Sequence, residues 1–198
     1  MVGARIAGVI AGIVAAATLA TPIAADARVA HGDGRASRKD ARDHDAPPPL
    51  LATLVQTHTD ERLPLDDALP TQERFAGLLR DQVTGEHHLF DPRLLGLLRA
   101  LADRHRGARI EIVSGFRSPK RNEMMRKKGH HVASHSQHSL GHAVDFRIVL
   151  PDAERGIDPR DLEREVRGLG WDGGVGVYTL SSDWFVHCDV GRQRRWSG

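Results

Sequence analysis

A single cysteine, Cys188, stands in the whole chain, so no internal disulfide can form and an oxidising compartment would give the fold no covalent staple. Aromatic side chains are only 5% of the residues, which leaves no row of rings on which bases could stack. No nucleic-acid motif accompanies the mild net charge of +2, so nucleic acid is not an expected partner. Repeats, heptad runs and a second long apolar span are also missing, which argues against an array, a coiled coil or a multi-pass membrane protein. Much of the basic excess lies in short clusters such as Arg126-Lys127-Lys128 and Arg192-Gln193-Arg194-Arg195. Such clusters read first as solvated faces, with a weak attraction to an anionic envelope surface as the alternative.

The one long apolar run lies at the start. After MVGAR, with its charge at Arg5, residues 6–25 carry no charge and lead to the small-x-small sequence Ala25-Asp26-Ala27. Residues 1–27 are therefore expected to be an export signal, with an uncleaved membrane anchor as the alternative. Residues 28–49 are rich in charge, glycine and proline and nearly empty of large apolar side chains. They cannot bury enough surface to fold and are expected to be a disordered linker. Residues 50–198 have the size of one domain with one core.

Within that domain, apolar side chains at three- and four-residue intervals predict helices over 72–80 and 92–104, the second opened by Asp91-Pro92 as cap and first helical residue. Alternation predicts strands over 108–113, 141–148 and 185–190. Lys120 to Lys128 and Asp161 to Leu169 read as helices, and Gly173 to Tyr178 as a glycine-rich strand or turn. Two helices precede the first strand in this reading. The fold class expected is α+β, a small antiparallel sheet with flanking helices that presents polar residues to a cleft.

Twelve histidines offer many candidates for chemistry, most of them surface or linker residues such as His31, His44, His87, His88 and His105. One segment stands apart: Ser136-Gln137-His138-Ser139-Leu140-Gly141-His142-Ala143-Val144-Asp145 carries an imidazole and a carboxylate across a glycine turn into an alternating strand. In that strand Val144, Phe146 and Ile148 share one face, and Asp145 lies on the other with Ala143 and Arg147. A buried carboxylate there needs a cation or several donors to stay ionised. His187, on the last strand, supplies a third ligand. Two imidazoles and one carboxylate leave a coordination position for water, the pattern of a catalytic zinc site, and zinc activates that water or polarises a scissile carbonyl. His135 and His142 do not join them, since His135-x-x-His138 lacks the glutamate of a helical zinc motif and His142 has the wrong strand parity. Cys188 faces away from His187 and reads as a small core residue. Ser136 is expected to cap the turn or orient a ligand.

The run S-x-H-x-x-G-x-A-x-D followed by H-x-D-x-G resembles the LAS-type zinc metallopeptidases, grouped with D-alanyl-D-alanine dipeptidases, lysostaphin-type enzymes and the hedgehog signalling domain. The segments Arg80 to Glu86, Asp91 to Leu95, Ser114 to Pro119 and Phe185 to Arg192 are more closely similar to the YcbK-like murein endopeptidases, also called MepK. The likeness spans about residues 51–196. It implies a hedgehog/D-Ala-D-Ala-peptidase-like domain with one zinc ion in its cleft, bound by His138, Asp145 and His187. It further implies cleavage of peptide cross-links or stem peptides of peptidoglycan, outside the cytoplasmic membrane, in the periplasm or cell envelope. Endopeptidase and D,D- or L,D-carboxypeptidase both remain open. The dipeptidase branch places a glutamate three residues before its last histidine as general base, where this chain has Trp184. Asp189 and Asp183 are the candidate bases in its place, with support of His187 and a plain loop position as their respective alternatives. Arg117, in a loop where relatives carry an arginine, is the candidate to grip a substrate carboxylate or an oxyanion. The missing glutamate keeps a second class in view, a catalytically inactive zinc-containing module that binds peptidoglycan. An envelope protein stabilised by structural zinc is the third, disfavoured by three ligands instead of four.

Overall fold

A computed structural model describes residues 50–128 and 135–198; the expected signal (1–27) and linker (28–49) lie outside the described residues. Among the described residues no helix is long and apolar enough to cross a membrane. The elements run β1 (Ala52–Gln56), β2 (Arg62–Leu65), α1 (Gln72–Leu78), α2 (Pro92–Arg104), β3 (Arg109–Ser114), α3 (Pro119–Lys127), β4 (Ala143–Val149), α4 (Pro159–Gly168), β5 (Gly174–Leu180), β6 (Asp183–Asp189) and β7 (Arg194–Ser197). Among the described residues, three of the four α-helices start alike: Asp91, Ser118 and Asp158 each accept a hydrogen bond from a first-turn N–H, and a proline follows, filling a position whose N–H has no helical partner.

The seven strands among the described residues form one sheet in the order β2-β1-β3-β4-β6-β5-β7. This corrects two expectations. A hairpin, β1 with β2, precedes the helices, and the sheet is mixed because β1 pairs with β3, and β5 with β7, in parallel. The α+β class itself stands.

Alternation in β4 does what its sequence implies. Val144, Phe146 and Ile148 are wholly buried in a core shared with Ile110 and Ile112 of β3, Val186 and Cys188 of β6, Leu94, Leu98 and Leu101 of α2, and Leu162 and Val166 of α4. Helices α1, α2 and α4 thus cover one face of the sheet. The antiparallel register then sets Asp145 beside His187, and His187 beside Gly176 on its other side, all on the opposite face. Packing on one face fixes the position of polar groups on the other.

Candidate metal centre

His138 sits in a single 3₁₀ turn, Gln137–Leu140, whose N–H is capped by the Ser136 hydroxyl at 3.3 Å. Gly141 closes that turn at φ +68°, a conformation most side chains resist. A Cβ at Gly141 would lie 2.4 Å from the Leu89 carbonyl oxygen, so both the backbone angle and the space require glycine. The Arg117 N–H donates to the His138 carbonyl at 3.3 Å, which ties the turn to the β3–α3 loop. That loop is itself anchored by Asp81, a wholly buried carboxylate that accepts from the Ser118 N–H at 2.8 Å, the Val83 N–H at 2.9 Å and the Arg121 guanidinium at 3.3 Å. Burial pushes the Asp81 carboxyl up, but the Ser118 hydroxyl, these N–H donors and the Arg121 charge hold it below the ordinary value of 3.8.

Three ligand atoms converge at the head of β4 and β6. His138 Nε2 lies 3.1 Å from His187 Nδ1 and 3.3 Å from Asp145 Oδ1, and His187 Nδ1 lies 2.7 Å from the same oxygen. Each imidazole is held at its other nitrogen. His138 Nδ1–H donates to the Gly115 carbonyl at 2.7 Å, and His187 Nε2–H donates to Asp189 Oδ2 at 3.0 Å. These distal bonds fix the ring orientations that leave Nε2 of His138 and Nδ1 of His187 facing Asp145.

Acceptors so close together require positive charge among them. Burial lowers the basicity of the His138 imidazole, against the pull of Asp145. Burial acts the same way on His187, but Asp145 and Asp189 on its two sides overcome it and raise that imidazole to about 9. Asp145 is held far below the usual carboxylate range, its own burial outweighed by His138 and His187. Either a proton on His187 Nδ1 or a metal ion can satisfy this cluster. The donor set passes a geometric test for the latter: tetrahedral zinc with bonds near 2.0–2.1 Å sets its ligands about 3.3 Å apart, close to the 2.7–3.3 Å triangle seen here. Among the described residues, His138, Asp145 and His187 form the group of side chains able to hold a metal ion.

The triangle opens onto a cleft of about 650 Å³ whose walls include Arg117, Tyr178, Phe185, Arg194 and Trp196. Arg117 is half-buried on one wall. Burial draws its guanidinium down from the ordinary value while the Asp145 charge opposes that, and the group remains charged at any working pH. Asp189, by contrast, is wholly buried behind His187. Its two oxygens also accept from the Gly191 N–H at 2.8 Å and from both terminal nitrogens of Arg194, at 3.1 and 2.7 Å. Burial raises the Asp189 carboxyl, but His187, the Gly191 N–H and Arg194 together lower it. Asp183 is exposed and begins β6. It shares a face with His187, four residues and so about 13 Å further along the strand, and lines the far end of the same cleft.

The family model described as peptidoglycan L,D-endopeptidase MepK matches residues 66–196. The chain belongs to the MepK family. Among curated relatives it is similar to the probable peptidoglycan L,D-endopeptidase MepK of Haemophilus influenzae (strain Rd), 32% identical over 160 residues that cover 77% of this chain and 81% of the relative. It is equally similar to the peptidoglycan L,D-endopeptidase MepK of Escherichia coli K12, 32% identical over 158 residues, 76% of this chain and 81% of that one. No solved structure matches the chain.

Several features of this MepK-family cleft escaped the sequence reading. Trp196 of β7 places its ring 5.1 Å from that of His187 and donates from Nε1 to the Tyr178 hydroxyl at 3.2 Å. Tyr178 in turn stacks on Phe185 with centroids 4.5 Å apart. Within the basic cluster at 192–195, Arg192, Gln193 and Arg195 are exposed, Arg195 while paired with Glu163 at 2.7 Å, whereas Arg194 turns inward and is paired with the buried Asp189 at 2.7 Å. A signal existed in the spacing of Asp189, Gly191 and Arg194, a carboxylate and a cation across a glycine turn. The side chains set aside earlier lie elsewhere: His142 is outside the triangle, and His135 is exposed at the cleft rim. Cys188 is a core residue whose thiol is pushed up by burial. Trp184 faces away from His187, donating to the Gly156 carbonyl at 2.9 Å beneath Arg155.

Proposed function

We propose that this protein is a zinc-dependent endopeptidase of peptidoglycan peptides, acting outside the cytoplasmic membrane, with His138 Nε2, Asp145 and His187 Nδ1 holding one zinc ion. The observation that carries the reading is the pair of imidazoles, each tied at its far nitrogen and aimed with a buried carboxylate at one point on a cleft floor. Zinc held there would supply a Lewis acid that polarises a peptide carbonyl and makes water nucleophilic near neutral pH. The remaining work falls to the chain. Arg117 is suited to bind a substrate carboxylate or the developing oxyanion through two parallel N–H bonds. Asp189, with its oxygens occupied by His187, Gly191 and Arg194, is suited to orient His187 rather than to accept a proton from the cleft. Asp183, about 13 Å away along the strand, is suited to contact substrate beyond the reacting bond. Peptide specificity of the L,D type is inferred from the relatives' names, as is a location in the periplasm or envelope.

A second reading, a zinc-holding module that binds peptidoglycan without cutting it, is favoured by one observation. Beside Asp145, the carboxylate lining the cleft is the distant Asp183, so among the described residues no second carboxylate reaches the cluster from the cleft side. Incubation of the protein with purified sacculi, with products identified by mass spectrometry, separates the two. The endopeptidase reading expects shortened cross-links that disappear with a chelator and return with zinc. Retention on sacculi with zinc bound and no product under any condition would establish the binding module instead.

A further inference from the structure

The geometry points to Arg194, on the last strand, as a positioning residue of the metal centre that acts on His187 through Asp189. This inference rests on the zinc reading above. Asp189 is wholly buried and cannot be steadied by solvent, so its rotation is set by the groups it bonds. One oxygen, Oδ2, takes both the His187 Nε2–H at 3.0 Å and an Arg194 N–H at 2.7 Å; the other, Oδ1, takes the Gly191 N–H at 2.8 Å and the second Arg194 N–H at 3.1 Å. Two parallel bonds from a planar guanidinium fix the plane of a carboxylate as a point charge cannot. The plane of Asp189 then fixes the His187 ring, and the ring fixes where Nδ1 points.

Two further contacts belong to the same device. Gly174, on β5, faces the carboxylate: a Cβ there would lie 2.4 Å from Asp189 Oδ2 and 2.8 Å from Arg194 Nη1, so the sheet leaves room for this pair. The Arg194 guanidinium also lies over the Trp196 ring, 4.9 Å from its centroid, and that ring stands against His187. Strand β7 therefore holds His187 from two sides, through a carboxylate and through an indole.

The test is a double-mutant cycle read as zinc affinity, by competition with a chromophoric chelator, on the whole protein. Asp189→Asn, which alters the direct partner of a ligand histidine, should weaken zinc by about 10–100-fold, and Arg194→Ala should weaken it by at least a few-fold within that limit. Arg194→Lys, which keeps the charge but cannot make the paired bonds, should fall between. Asp189→Asn combined with Arg194→Ala should bind no more weakly than Asp189→Asn alone, because both act on one contact. Melting of the metal-free variants, measured alongside, should change far less than zinc affinity does. Unchanged or tighter zinc in Arg194→Ala, or losses that add in the double variant, would overturn the inference and leave the zinc reading standing. Failure of the unsubstituted protein to bind zinc would overturn both.

Discussion

Both converging imidazoles depend on partners behind the cleft, His138 on a carbonyl and His187 on a carboxylate, while Asp145 is held by the two imidazoles themselves. Arg117 is different, since among the described residues no hydrogen bond occupies its guanidinium and its place on the wall leaves it to a ligand. Arg117→Lys should therefore lower kcat/KM for peptidoglycan peptides by about 10–100-fold, the value of roughly 1.5–3 kcal/mol for a charged hydrogen bond, while zinc affinity stays within a factor of a few. Steady-state kinetics beside metal titration checks both. At this scale the spacing from His138 to Asp145 and the parity of His187 already implied convergence. Parity could say only that Asp189 shares a face with His187. The distances show its oxygens turned to Arg194 and Gly191, and a four-residue strand, Arg-Arg-Trp-Ser, offers no pattern from which β7 could be foreseen.

Turns and caps carry these side chains to their places. Gly141 ends the turn of His138 at positive φ, against the Leu89 carbonyl. Gly141→Ala should cost about 1–3 kcal/mol from the backbone angle alone, with the contact adding to it. Urea unfolding should show this as a lower midpoint at unchanged m-value. The Asp81 anchor makes a separate prediction in pH. Its carboxyl is depressed in the folded state, so its contribution is present above the ordinary value of 3.8 and fades as pH falls through the lower folded value. Asp81→Asn should thus be less stable than the unsubstituted protein at pH 7, and the gap between them should narrow below about pH 4, as followed by thermal melting across pH. Helices α1, α2 and α4 and the central strands were legible because their apolar periods are long, and α3 from its Ser118-Pro119 start. The opening hairpin was not: the run from Leu50 to Val55 has no alternation, and Pro64 in β2 argues against a strand unless it lies at an edge, which is where it sits.

The whole sheet explains why one face can be given to chemistry. Helices on the other face bury the even-numbered side chains of β4 and β6, so the odd-numbered ones are free to build a polar cleft. An all-antiparallel sheet was expected, and the parallel pairs β1/β3 and β5/β7 join strands that are not consecutive in the chain, a relation no local pattern encodes. It is the second of these pairs that brings Arg194 and Trp196 to the site. The central claim, that three side chains from separate elements hold one zinc ion, is tested most directly by anomalous diffraction at the zinc edge from crystals grown with the metal. The account predicts a single strong peak within about 2.0–2.2 Å of His138 Nε2, an Asp145 oxygen and His187 Nδ1, with Asp189 still on His187 Nε2. No peak there, or zinc bound through His187 Nε2, would contradict it.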